Sequence, residues 1–394
     1  MSVTNLEFHP LTYVEEPDGV VVGRSDAQSY AVLPSDGAAL LRRLASGMST
    51  EQAANWYFVE FGEPIDISDF VETLRELRFV RVEGEQPAEA PRVRWQWLGR
   101  TVFSRPAWAV YLGLLTACAI AVAVRPAVRP AAHNLYFTSS FVAVQLVLTL
   151  LQVPATGLHE WFHVLAGRRL GLPTRLGVST RLYFVVFETR LDGLLGVPRR
   201  KRYLPFLAGM LADLLMFCAL TLAAVGLGTA SWVGRLALAF AFTALLRLAW
   251  QTYVFLRTDL YYVFTTLLGC TNLHEVTSAY LRARFSRVPG IHPPIGDEAQ
   301  WSARDLAAAP WFALISAVGV VFLLATTVLA VVPLVTMAVT RLGAQLDRGA
   351  AGGPGFWDSV VALFLLFVQI ALPVAVSRRD TRRAARASRG KETP

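Results

Sequence analysis

The chain has 394 residues, long enough for more than one domain; 54% are hydrophobic and only 17% charged. With a mean hydropathy of +0.44, this composition excludes a disordered chain or an ordinary soluble enzyme and indicates an integral membrane protein. The formal charge of +8 comes mostly from arginines beside apolar runs, so it reads as an orientation signal rather than a nucleic-acid footprint.

The first 30 residues lack a basic start followed by an apolar run; no signal peptide is expected, and the amino terminus is assigned to the cytoplasm. Residues 1 to about 90 have the periodicity of a soluble domain. Gly19–Val22 and Tyr30–Leu33 read as short strands around a turn at Ser25-Asp26, and Asp36–Ala45 as a helix with Leu40, Leu41 and Leu44 on one face. Ser49 and Gln52 have capping-box spacing, opening a helix through Phe61 that ends at Gly62. Asp66–Leu77 reads as a third helix and Phe79–Val82 as a closing strand. Together these elements suggest a small α+β winged-helix-like module. The third helix carries Asp66, Asp69, Glu72 and Glu76 against Arg75, the wrong charge for phosphate, so no nucleic acid is expected as a partner.

Glu85–Arg105 reads as a polar linker, giving a module at 1–90, a linker at 91–105, a membrane domain at 106–376 and a basic tail at 377–394. Six spans are expected near Pro106–Val124, Phe137–Pro154, Leu204–Leu227, Val233–Leu256, Trp311–Val335 and Phe356–Val376. The fold class is therefore an α-helical polytopic membrane protein with about six transmembrane helices and a small amino-terminal domain. Arginines cluster before the first span, in the 168–202 loop and in the tail, which puts both termini in the cytoplasm. The tail, abutting a span, reads as an anchor on anionic membrane lipid. Cys118, Cys218 and Cys270 are too scattered for a disulfide framework or a cysteine metal site.

The second span runs into His159-Glu160-Trp161-Phe162-His163. Two histidines four apart share a helix face and can reach one Zn²⁺, while the glutamate beside the first takes a proton from water. Ionisable groups at membrane depth are costly and usually functional. A hydrolytic zinc needs a third protein ligand and an open position. Asp192 in Leu-Asp-Gly, Asp213 within the third expected span and Asp259 after the fourth are candidates; Asp259 is favoured by returning to the membrane face of the motif.

The motif at the end of one span, Ala208-Gly209 opening the next, and Phe255-Leu256-Arg257-Thr258-Asp259-Leu260-Tyr261-Tyr262 after a further span resemble the site-2 protease group of intramembrane zinc metalloproteases, in its bacterial peptide-processing form. The resemblance implies that His159, His163 and Asp259 are the zinc ligands, Glu160 the base, and a bacterial cell membrane the location. It also implies that Leu176–Thr189 forms the β-structured insertion that aligns an extended substrate. Where that family has Gly-Pro and then an asparagine that steadies the substrate backbone, this chain has Gly209-Met210 and Asp213; Asp213 is the expected substrate-binding residue, with a competing role as ligand. Trp161 and Phe162 stand where the family has small residues.

The first 90 residues carry a second resemblance, in Tyr30-Ala31-Val32-Leu33 leading into Asp36-Gly37 and in Asp69-Phe70-Val71 to Leu77. They are similar to the peptide-recognition module related to the small chaperone of pyrroloquinoline quinone biosynthesis. Such modules bind the leader of a ribosomally made, modified peptide by strand addition to a sheet edge. The combined expectation is a zinc endopeptidase that removes a leader peptide. The alternatives are site-2-type cleavage of a single-span regulator, or a non-catalytic peptide-binding membrane protein that keeps the motif.

Overall fold

The computed structural model describes residues 6–16, 19–24, 26–27, 29–82, 85, 93–181, 184–190, 193–285, 301–347 and 353–389. The amino-terminal module opens with β1 (Thr12–Glu16), β2 (Gly19–Arg24) and β3 (Ser29–Leu33) in an antiparallel sheet of order β1-β2-β3. Its register pairs Val14 with Val21 and Val22 with Ala31.

Three helices cover the sheet: α1 (Ser35–Ala45), α2 (Thr50–Phe61) and α3 (Ile67–Glu76). The α2 start is the expected capping box between Ser49 and Gln52, and its end is Gly62 at φ 75°, a left-handed turn that favours glycine. Asp66 caps α3 by accepting from Ser68 N and Asp69 N. Leu40, Leu41, Leu44, Leu74 and Phe79 close the core against Val20 and Val22.

This half departs from the reading of its sequence at three elements. β1 was not foreseen. The closing strand Phe79–Val82 is reduced to a single bridge between Val80 and Phe8. The segment expected as linker contains a helix, α4 (Gln96–Val102), and Glu85, inside the 1–90 module, meets His9 at 3.2 Å and Arg24 at 3.5 Å.

Among the described residues, five helices are long and apolar enough to cross a membrane. They are α5 (Arg105–Val124), α6 (Phe141–Arg169), α7 (Arg199–Leu227) and α8 (Trp232–Trp250), together with most of α11 (Ala303–Asp347). Between α8 and α11 lie the short helices α9 (Asp259–Leu268) and α10 (Leu273–Arg284). The sixth expected span falls on α12 (Pro354–Arg389), where the apolar stretch among the described residues is the shorter Pro354–Gln369. Between α6 and α7 the expected β-segment is an antiparallel hairpin of β4 (Arg175–Arg181) and β5 (Phe184–Arg190).

α7 is the hub, packing on α5, α6, α8 and α9. At the start of α6, Asp358 of α12 accepts from Phe141 N at 2.9 Å and Val142 N at 3.3 Å, placing a carboxylate on a helix amino terminus. The module meets this bundle at the foot of α7: Glu16 at the end of β1 pairs with Arg199 at 2.6 Å and Arg202 at 2.7 Å.

Candidate metal centre

His159 and His163 lie one turn apart on α6 and are buried, as is Glu160 between them. The α4 helix packs on the same stretch: Phe103 joins Leu165, Ala166 and Ala208 in a buried cluster. Trp161 sits 4.9 Å from Trp95 and Phe162 6.0 Å from Phe103, ring centre to ring centre. The two bulky motif residues are therefore spent on α4.

Each imidazole is held by its Nδ1. His163 Nδ1 lies 2.7 Å from the Pro205 carbonyl oxygen, which can only accept, so Nδ1 carries the proton. His159 Nδ1 lies 2.9 Å from Asp213 Oδ2 and donates in the same way. Both Nε2 atoms are then bare lone pairs, 3.2 Å apart. The third atom in their company is Asp259 Oδ2, 3.1 Å from His159 Nε2 and 3.2 Å from His163 Nε2. Asp259 opens α9, where Gln251 accepts from its backbone N–H at 3.0 Å; the Gln251 carbonyl accepts from the Thr258 hydroxyl at 2.7 Å.

With both rings neutral, three acceptors converge here with no proton between them, an arrangement that a cation in their midst would stabilise. Their separations fit a metal: bonds of about 2.0–2.1 Å at tetrahedral angles put ligand atoms about 3.3 Å apart. Histidine ligands whose other nitrogen donates to a carboxylate or carbonyl are the usual supporting pattern. Space is left between these atoms because α7 presents Gly209 here; a Cβ on it would lie 2.3 Å from His163 Nε2 and 2.4 Å from His159 Nε2. Charge points the same way. Among the described residues, and with both rings neutral, ionised Glu160, Asp213 and Asp259 are offset by one guanidinium, that of Arg247 on Asp213, which leaves two negative charges, the charge of one divalent cation.

Glu160 stays off the triangle of ligand atoms, although the metal-capable atoms of His159, Glu160 and His163 lie within 4.8 Å of one another. Its Oε2 accepts from the Thr189 hydroxyl on β5 at 2.8 Å, which leaves its other carboxylate oxygen for a reacting group.

Of the three aspartates, then, Asp259 stands with the two histidines. Asp192 lies outside the described residues. Asp213, the residue expected to steady the substrate backbone, is fully buried, with Oδ2 on His159 and Oδ1 on Arg247, so both of its oxygens are engaged within the protein. Sequence reasoning missed Thr189, Gln251 and Arg247. The last had a readable signal, an arginine inside an otherwise apolar span.

Comparison with protein-family models, curated proteins and solved structures returns no match for this chain.

Proposed function

We propose that this chain is a membrane-embedded zinc metalloprotease of the site-2 type. The observation that carries the reading is the convergence of His159 Nε2, His163 Nε2 and Asp259 Oδ2 within 3.1–3.2 Å of one another, with Glu160 alongside but outside the triangle. Two histidines and a carboxylate plus an open position is the donor set of a hydrolytic zinc, which supplies a water of pKa near about 7 and a polarised carbonyl. Glu160 takes the proton of the attacking water and returns it to the leaving amine. Thr189 holds the glutamate for that exchange. Asp213 and Pro205 keep the two rings turned so that Nε2 faces inward.

Within that class, the reading is removal of a leader from a ribosomally made, modified peptide. Two features support it. The module's sheet ends at β1 and β3, each with a strand partner on only one side among the described residues, a geometry that accepts an added peptide strand. The Glu16 pairs with Arg199 and Arg202 hold that sheet at the foot of α7, the helix that carries Gly209 and Asp213. A bound leader would thus direct its downstream segment to the β4–β5 hairpin and the metal centre. The chain is read as resident in a bacterial cell membrane with both termini cytoplasmic.

Zinc analysis together with cleavage tests the reading. The wild-type protein should hold about one zinc, His159→Ala and His163→Ala should lose it, and Glu160→Gln should keep it while cleavage stops. A Glu160→Gln protein cleaving at the wild-type rate ends the hydrolase reading. Cleavage of a single-span regulator but of no modified precursor peptide shifts the substrate to regulated proteolysis.

A further inference from the structure

We infer that Arg247 on α8 is a positioning residue for the metal centre, acting through Asp213 to fix the ring of His159. This rests on the metalloprotease reading and adds to it a residue outside the ligand set.

Every nitrogen of the guanidinium is engaged. Arg247 Nε and Nη2 both donate to Asp213 Oδ1, at 3.0 and 2.8 Å. Nη1 donates to Gln152 Oε1 on α6, and Nη2 also lies 3.9 Å from Met216 Sδ. The other Asp213 oxygen faces His159 Nδ1 at 2.9 Å. Three helices thereby clamp one imidazole: α6 supplies Gln152 and His159, α7 supplies Asp213, and α8 supplies Arg247.

A fully buried carboxylate is tolerated only if it is paired and its lone pairs are used. The planar guanidinium does this with two donors converging on Oδ1, which leaves Oδ2 for His159. Asp213 is consequently held for His159 in one orientation, and is also held back from the ion it could otherwise ligate. An arginine in an apolar span is costly, and a simple tie between helices does not need to end on the supporting hydrogen bond of a ligand histidine.

The test uses the full-length protein in detergent and reads zinc affinity by competition with a chromophoric chelator, together with the d–d absorption of the cobalt(II)-substituted form. Arg247→Met should weaken zinc binding about 10–100-fold, the usual cost of losing an outer partner of a metal ligand, and should alter the cobalt bands. Arg247→Lys, which keeps charge but not the two-pronged contact, should fall between. The double variant Asp213→Asn/Arg247→Met leaves no lone buried charge and so keeps the question answerable if the single variant does not accumulate. It should bind zinc no more weakly than Asp213→Asn, because both act through one interaction. Wild-type affinity and unchanged cobalt bands in Arg247→Met, or in the double variant, overturn the inference and leave the metalloprotease reading standing. A wild-type protein without zinc, or one whose affinity is unmoved by His159→Ala, overturns both.

Discussion

Gly209→Ala should empty the metal centre without unfolding the protein. A glycine inside a helix is a liability of about 1 kcal/mol against alanine, so with free space the substitution would be neutral or stabilising. Here the added Cβ meets His163 Nε2 at 2.3 Å, His159 Nε2 at 2.4 Å and His159 Cδ2 at 2.6 Å, where ordinary contact begins at 3.4 Å. The rings or the α7 backbone must give way by about 1 Å, half the length of a zinc–nitrogen bond of about 2.0–2.1 Å. Overpacking of this size costs about 1–3 kcal/mol, and a misplacement of about 1 Å at a reacting centre costs about a hundredfold in rate. Gly226→Ala in the same helix is the control, since nothing lies within 4 Å of its Cβ position. The assay is zinc content and cleavage rate on purified protein, with far-ultraviolet circular dichroism for helicity. Zinc near zero with helicity unchanged in Gly209→Ala, and full zinc in Gly226→Ala, are expected. A Gly209→Ala protein with a full complement of zinc and normal turnover would refute the packing argument and the placement of the ion beside α7.

Thr189→Val removes the 2.8 Å hydrogen bond to the Glu160 carboxylate and should lower kcat about ten- to a hundredfold with zinc content unchanged, while Thr189→Ser restores most of it; a shifted KM with normal kcat would reassign Thr189 to substrate binding. Glu16→Gln weakens two ion pairs between the module and α7, so KM should rise while kcat holds, the sign of uniform binding lost; steady-state kinetics with a precursor peptide decide it. In the module, the Tyr57 hydroxyl donates to Asp36, which holds that carboxyl below its ordinary range and raises the phenol to about 12. The carboxylate's contribution to stability is complete above about pH 3.9 and fades as pH falls towards its lowered folded value. The phenol's is complete below about pH 10 and fades as pH rises through its raised one. Tyr57→Phe should flatten both limbs in pH-dependent unfolding, and a profile unchanged by it would discount the pair.

The local half of this protein was legible residue by residue. Helix starts and stops are local chemistry, so Ser49 with Gln52, Gly62 and Asp66 announce their elements before any packing is known. The long apolar runs announce themselves by composition, and the spacing of His159 and His163 fixes that they share a helix face. What failed was what depends on a distant partner. β1 carries Glu15 and Glu16 and looks polar; it is a strand because β2 supplies its ladder, and its last glutamate is there for Arg199 and Arg202. α4 looked like linker because Trp95, Gly99 and the surrounding arginines hide its period. Gly99 is needed because α4 lies so close to α6 that a Cβ would stand 2.3 Å from the Leu165 carbonyl oxygen.

The centre divides along the same line. Sequence supplied the histidines, the glutamate and three candidate aspartates, since those are residue types at a spacing. Position in the sequence favoured Asp259; the tertiary structure supplied the contacts, bringing Asp259 across 100 residues to His159 Nε2 and turning Asp213 to the opposite nitrogen of the same ring. The reason is physical: a metal centre is defined by where lone pairs converge, and convergence between helices is set by the close approach of α6, α7 and α9 around Gly209. No periodicity within one helix encodes that approach.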